Sequence, residues 1–220
     1  MAHITDFNYF DPSQELTVTY GNLPHWEQPG ATYFITFRTN DSLPTSAMKL
    51  WERERDQWLA RQTKDHSPAS WHDKYKRLNN SQRQIFNREF RHKLESILDD
   101  SHGDCILRHP AHATVVADSL HHFDGDRYAL GDFIVMPNHA HLLVCFYIGI
   151  RLREQCYQWK HFMASAINRI RGVKETIWQT ESFDHLVRDL EHFRTFQQYI
   201  RTNPSKAGLK ENEYHLHTID

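Results

Sequence analysis

The sequence predicts an α+β fold: a mostly antiparallel sheet with helices against one face, plus a helical insertion at about 45–102. Three observations predict it. Runs rich in β-branched and aromatic residues stand at 31–38 and, as a closely spaced pair, at 128–136 and 139–147. Segments with apolar residues at helical spacing separate and follow those runs. No Gly-rich phosphate loop of the Rossmann or P-loop kind is present.

Taken in order, residues 1–22 are polar and mixed and read as an arm or loop. Gln28-Pro29-Gly30 is a turn signal that launches the strand from Ala31 to Arg38. Asn40-Asp41-Ser42-Leu43-Pro44 ends it, and a helix is expected to about Gln62. After a polar break containing Pro68, residues 71–102 read as one charged helix, with Leu78, Ile85, Phe86, Phe90, Leu94 and Ile97 as its apolar positions. Trp51, Trp58 and Trp71 give this excursion some core of its own, within a single domain spanning 1–220.

Pro110 suits the first turn of a helix that continues to His122. Two antiparallel strands follow, joined at Pro137-Asn138. Residues 152–170 carry a helical apolar stripe ended by Gly172. Residues 177–179 and 182–187 read as extended. Asp189 caps a last helix, and Pro204 places its end at Asn203. The tail, 211–220, is read as frayed.

Composition bounds the function. With 39% hydrophobic and 25% charged residues the chain has the profile of an ordinary soluble protein. No apolar run approaches the roughly 20 residues needed to cross a bilayer. The first residues, Met1 to Asp6, lack the basic start and apolar core of a signal peptide. Cys105, Cys145 and Cys156 form no close pair, so three reduced thiols in a cytoplasmic protein are expected. Net charge is −2, yet residues 151–210 hold 11 Lys and Arg against 6 Asp and Glu, so a basic surface is expected there.

The chemistry concentrates in two segments. In Met136-Pro137-Asn138-His139-Ala140-His141-Leu142-Leu143-Val144, period-two alternation puts His139 and His141 on one face of a strand, near enough to share a metal ion. In Phe196-Gln197-Gln198-Tyr199-Ile200-Arg201-Thr202-Asn203-Pro204, Tyr199 and Asn203 are four apart and share a helical face. Neutral imidazole suits a transition metal and an amide oxygen suits a hard one. His139, His141 and Asn203 would leave positions open for a phosphodiester oxygen, and Tyr199 would stand beside it as nucleophile.

These flanks, with Tyr199-Ile200-Arg201-Thr202-Asn203-Pro204-Ser205-Lys206-Ala207-Gly208-Leu209, resemble the single-tyrosine HUH transposases, most of all their REP-associated tyrosine transposase branch. Leu23-Pro24-His25-Trp26 with Pro29 to Arg38, and Ile177-Trp178-Gln179 with Phe183 to Asp189, are similar to the family's opening strand and to the segment before its tyrosine helix. The likeness covers roughly 22–44 and 104–210. It implies a ferredoxin-like α+β core and a divalent ion, Mg2+ or Mn2+, on His139 and His141. It also implies Asn203 as third ligand and Tyr199 as the nucleophile that cleaves and rejoins single-stranded or hairpin DNA through a 5′-phosphotyrosine. Relatives act as homodimers that exchange the tyrosine helix or as monomers that use their own. The excursion at 45–102 departs from compact members.

Arg38, Arg151, Arg153, Lys160, Arg188 and Arg201 are candidates to touch phosphates, and Trp178 to stack on a base. Two other classes compete. One is a metal-dependent phosphoesterase or nucleotide hydrolase using paired histidines, although the alternating His-x-His-x-His pattern of one such group fails at Leu143. A catalytically idle, transposase-derived DNA-binding protein would need neither histidine nor tyrosine, and all three are present.

Overall fold

Two strands that pair along their whole length form the centre of the sheet. In the computed structural model, β3 (Thr32–Arg38) lies antiparallel to β5 (His139–Phe146), with Arg38 opposite His139, Thr36 opposite His141 and Phe34 opposite Leu143. The structure describes residues 3–20, 24–99 and 102–219, so Leu23 of the opening-strand motif lies outside the described residues. A first hairpin pairs β1 (Thr17–Tyr20) with β2 (Pro24–Glu27). After β3 come α1 (Thr45–Thr63), α2 (Trp71–Lys76), α3 (Asn80–Asp99), α4 (Pro110–His121), β4 (Tyr128–Val135), β5, α5 (Leu152–Arg171), β6 (Phe183–Leu186), α6 (Leu190–Lys206) and β7 (His215–His217).

The five-stranded sheet has the order β6-β3-β5-β4-β7, and every neighbouring pair is antiparallel. Setting aside β7 and the excursion α1 to α3, the chain from β3 to β6 runs β3, α4, β4, β5, α5, β6. This is a β-α-β-β-α-β unit, and with its first and third strands central it is the ferredoxin-like arrangement.

Alternation assigns each face its helices. Tyr33, Ile35 and Phe37 of β3 and Leu142, Val144 and Phe146 of β5 pack with Val116 and Leu120 of α4 and with Trp159 and Met163 of α5. Phe34, Ile134, Leu143 and Cys145 point the other way and pack with Phe193, Phe196 and Ile200 of α6. The expectation of helices on one face therefore holds for α4 and α5 and is corrected for α6. Its apolar residues recur at 193, 196 and 200, and they cover the side that the crossover helices leave bare.

Local chemistry explains where elements start and stop. Pro110 opens α4, where its missing N–H costs nothing, and the His109 ring accepts from the Ala111 N–H. Gly172 takes φ 67° and closes α5. Asp189 caps α6 by accepting the His192 N–H at 2.7 Å. The expected stop of α6 at Asn203 is corrected: the helix runs to Lys206, with Pro204 inside its last turn. There the Ala207 N–H still reaches the Asn203 carbonyl at 3.0 Å.

Residues 41–103 form a compact unit of their own. The expected helix over 71–102 is two helices, because Asn79 and Gln82 exchange backbone-to-side-chain hydrogen bonds (2.9 and 3.0 Å) that start α3 afresh. Aromatic packing holds the unit together. Trp51 donates to the Phe90 carbonyl at 3.0 Å, and Trp58, Tyr75 and Phe90 each meet Phe86 ring to ring.

Two segments, one read as arm or loop and one as a frayed tail, contain strands. Residues 17–20 pair with β2. Residues 215–217 extend the sheet beside β4, with His215 and His217 stacked on Phe133.

A register shift between Leu130 and Phe133 bends β4. The shift contains Gly131, where a side chain would meet Leu143 at 3.1 Å, and Asp132, which is fully buried. Asp132 accepts from Arg201 Nε (2.6 Å) and Gln197 Nε2 (3.2 Å) of α6 and from the Ile219 N–H (2.9 Å) of the tail. One carboxylate thus ties β4, α6 and the C-terminal segment. Asp132→Ala is expected to destabilise the protein by about 3 kcal/mol, because it strands three donors, one of them the Arg201 guanidinium. Urea unfolding of the full chain reads this directly, and a loss under about 1 kcal/mol would contradict the tether.

Candidate metal and nucleophile site

On β5 the alternation that sends Ala140 and Leu142 toward α4 and α5 sends His139 and His141 toward α6. Their ring centroids are 4.6 Å apart, and both residues are fully buried. Asn138 Oδ1 lies 2.7 Å from His139 Nδ1. An amide oxygen only accepts, so Nδ1 carries the proton and Nε2 keeps its lone pair. At His141, Thr36 Oγ1 is 2.8 Å from Nδ1, and with that oxygen accepting, Nε2 again stays bare. Both Nε2 atoms are buried with no hydrogen-bond partner. Burial, and then the charge of Arg38, push the His139 pKa down to about 3. Burial, and then His139, hold His141 well below the usual imidazole range. The pair is therefore neutral at physiological pH, the form that binds metal.

Helix α6 carries the other two groups. The half-buried Tyr199 ring lies 5.2 Å from His141, centroid to centroid. Phe34 holds it there. It stacks on Phe196 at 4.3 Å and on His141 at 5.2 Å, and takes Tyr199 edge-on at 5.8 Å. One turn further on, Asn203 is fully buried, and neither its amide oxygen nor its amide nitrogen has a partner. Each such group costs about 1–3 kcal/mol when left unmade. Lys206 Nζ stands 5.1 Å from the Tyr199 ring.

The donor set fits a divalent ion. Two imidazole lone pairs and an amide oxygen, all buried and unsatisfied, are what a metal would fill. Among the described residues no group of three His, Cys, Asp or Glu could hold one, so a site on this histidine pair needs the amide.

The remaining sequence candidates scatter. Arg38, opposite His139, is buried with its Nε unpaired. Lys160 Nζ is turned to the carbonyls of Gln179 (3.1 Å) and Thr180 (2.6 Å). Trp178 is packed in the core edge-on to Phe37, so it is not presented for base stacking. Arg151 is exposed and pairs with Glu154, while Arg153 and Arg188 are exposed. Arg201 is held by Asp132. Tyr157, a tyrosine on α5, is exposed and lies across the sheet from the histidines.

Thr36, Phe34, Asp132 and Lys206 were not singled out from sequence. Lys206 lies inside the family-like motif. Phe34 and Thr36 lie inside the opening-strand segment but, like Asp132, look like ordinary strand residues, and only the sheet register shows their roles.

On β2, His25 donates to Asp184 (2.5 Å) and Glu181 (2.7 Å). Burial alone would lower its pKa, but hydrogen bonds to, and the charges of, the two carboxylates outweigh it and lift the pKa to about 10. The folded value exceeds the unfolded 6.5, so this stabilisation is complete below about pH 6.5 and is lost as pH rises through about 10. The melting-temperature gap between wild type and His25→Gln should therefore be largest at about pH 6.5 and below, and close toward pH 10. A gap that widens with pH would exclude this charge arrangement.

No family model matches the chain, and no curated protein matches it. Among solved structures the chain is similar to a REP-associated tyrosine transposase bound to a REP hairpin. The identity is 14% and the TM-score 0.43, over 85% of this chain and 74% of that one. A likeness of that size decides neither fold nor activity, and the ferredoxin-like assignment rests on strand order and pairing. No helix among the described residues is long and apolar enough to cross a membrane.

Proposed function

We propose that the protein is a metal-dependent single-stranded DNA endonuclease and strand transferase that acts at hairpin-forming repeats through a 5′-phosphotyrosine. One observation carries the reading. Two neutral imidazoles with buried, unpartnered Nε2 atoms lie against a tyrosine ring, one turn from a buried amide with no partner. The sequence resemblance supplies the substrate class.

When bound, a divalent ion (Mg2+ or Mn2+) would supply a Lewis acid for a non-bridging phosphate oxygen. His139 and His141 would hold it through Nε2 and Asn203 through Oδ1. Asn138 fixes the His139 tautomer that leaves Nε2 free to bind, and Thr36, accepting from Nδ1, would do the same for His141. The Tyr199 phenolic oxygen attacks phosphorus and forms a new O–P bond. The bond from phosphorus to the 3′ oxygen breaks, the phenolic proton is lost and the departing oxygen gains a proton. The ester energy stays in the phosphotyrosine, and attack by a 3′ hydroxyl reverses the step without ATP. A phenol with a pKa near 10 needs help to ionise, which a bound ion or a general base would have to give.

Tyr199→Phe keeps the ring against Phe34 and His141 and removes the attacking oxygen. It should retain binding to a hairpin-containing single strand and lose cleavage and covalent adduct by on the order of 10^3-fold or more. His139→Ala and His141→Ala should lose cleavage together with Mn2+ binding, at little cost in melting temperature. Hydrolysis without an adduct in the wild type, or an adduct mapped to any tyrosine but Tyr199, would sink the mechanism. A metal-dependent phosphoesterase would give the first result, and an idle DNA-binding protein would give binding alone.

Binding should also favour single strands and hairpins over plain duplex, since in-line attack needs a splayed backbone. Competition between a hairpin strand and a blunt duplex of equal length tests this, and equal affinity would count against it.

A further inference from the structure

Arg38 is the one deeply buried cation among the described residues for which no protein group completes the charge. It is 8% exposed, its Nε has no hydrogen-bond partner, and it makes no ion pair. The other buried cations differ. Arg55 pairs with Asp56 at 2.9 Å and lies over Trp71, and Lys74 donates to the Ser67 carbonyl at 2.8 Å. The carboxylate that acts on Arg38, Glu181, is engaged by His25. The Arg38 charge is felt at His139, its partner across the β3–β5 register, and at Lys160. A buried, unpaired charge is strongly unfavourable, and a bound anion would relieve it. Guanidinium is the side chain best shaped for two oxygens of one phosphate.

We propose that Arg38 is an oxyanion subsite, whose guanidinium holds non-bridging oxygens of a phosphodiester beside His139 and His141. The assignment deepens the function proposed above by naming the side chain that seats the reacting phosphate. It also explains how a metal is admitted. His139, His141 and Asn203 bring no negative charge, and Arg38 adds a positive one. A divalent ion entering alone meets repulsion, whereas one entering with a phosphate does not. Metal and nucleic acid then bind with positive coupling, and coupling of this kind is reciprocal.

The test uses the full chain, and its first arm needs no metal. In EDTA, millimolar inorganic phosphate is compared with chloride at matched ionic strength for wild type, Arg38→Met and Arg38→Lys. Phosphate should raise the wild-type melting temperature by about 2–4 °C. Arg38→Met should melt at or above wild type in chloride, because the unpaired charge is gone, and should not respond to phosphate. Arg38→Lys keeps a cation and should keep a reduced response. A wild type indifferent to phosphate, or an Arg38→Met response equal to wild type, overturns the subsite.

The second arm measures Mn2+ binding by electron paramagnetic resonance, with and without a single-stranded oligothymidine. Single strands should tighten Mn2+ at least tenfold in wild type and less than twofold in Arg38→Met. Equal tightening in both proteins overturns the coupling. A wild type that binds no Mn2+ under either condition retires the metal reading, while the metal-free arm still decides Arg38.

Discussion

The pairing register of β3 with β5 is the constraint on which the rest depends. Side chains alternate along a strand, so a slip of one residue would exchange the two faces of the sheet. In the observed register the α6-facing residues of β3 are Phe34, Thr36 and Arg38, and each has a different task. Phe34 stacks between α6 and His141. Thr36 meets the Nδ1 of His141. Arg38 places a charge beside His139. A slip would drive two imidazoles into the Leu and Trp packing under α4 and α5, where nothing could pair with them. The residues opposite hold the register in turn, since Tyr33, Ile35 and Phe37 belong to the larger core cluster.

The same face carries a stability cost. Two imidazole nitrogens, both ends of an amide and a guanidinium Nε are buried without partners. Native interiors satisfy nearly all such groups, so a cluster of exceptions marks function or strain. The expense is offset nearby rather than on the site itself. Phe193, Phe196 and Ile200 bury α6 against the sheet, and Asp132 binds that helix to β4 and the tail. The Asp132 contacts need the bend in β4, and the bend needs Gly131, which lets the strand pass close to Leu143. A backbone irregularity on the next strand thereby sets the position of Tyr199.

Much of this was legible in the sequence, and what was not follows a pattern. Strands 3, 4 and 5 and helices 1, 4 and 5 carry long periodic signals with clear caps or turns, and their limits agree with expectation to within a residue or two. The histidine pair followed from period two, and Tyr199 with Asn203 from one helical turn. Elements stabilised by distant partners were missed. β7 is three residues long and depends on stacking against Phe133. The first hairpin has four exposed residues in β1 and so no alternation to detect. The break before α3 is a reciprocal cap between Asn79 and Gln82, two residues common on helix surfaces. The placing of α6 opposite α4 and α5 is invisible to helical periodicity, which shows that a helix has an apolar face but not which surface receives it. For the same reason Trp178, aromatic and beside the motif, read as a stacking candidate although it belongs to the core.

The charge distribution bears on how a chain of net charge −2 would engage a polyanion. A strongly basic protein attracts nucleic acid over long range, and its affinity falls steeply with salt. Here the exposed cations are partly spent within the fold: Arg151 on Glu154, Arg171 on Glu175 and Arg201 on Asp132. Arg38, which makes no ion pair, is instead buried beside the imidazoles, where screening by salt is weakest. His25, held charged between Asp184 and Glu181, keeps Glu181 occupied and so leaves Arg38 without a close ion-pair partner. On the proposed function, affinity would then come less from a broad basic surface than from one desolvated contact at the reacting phosphate. Such an arrangement gives up long-range attraction for discrimination, because only a backbone that can splay into the site between β5 and α6 reaches the charge.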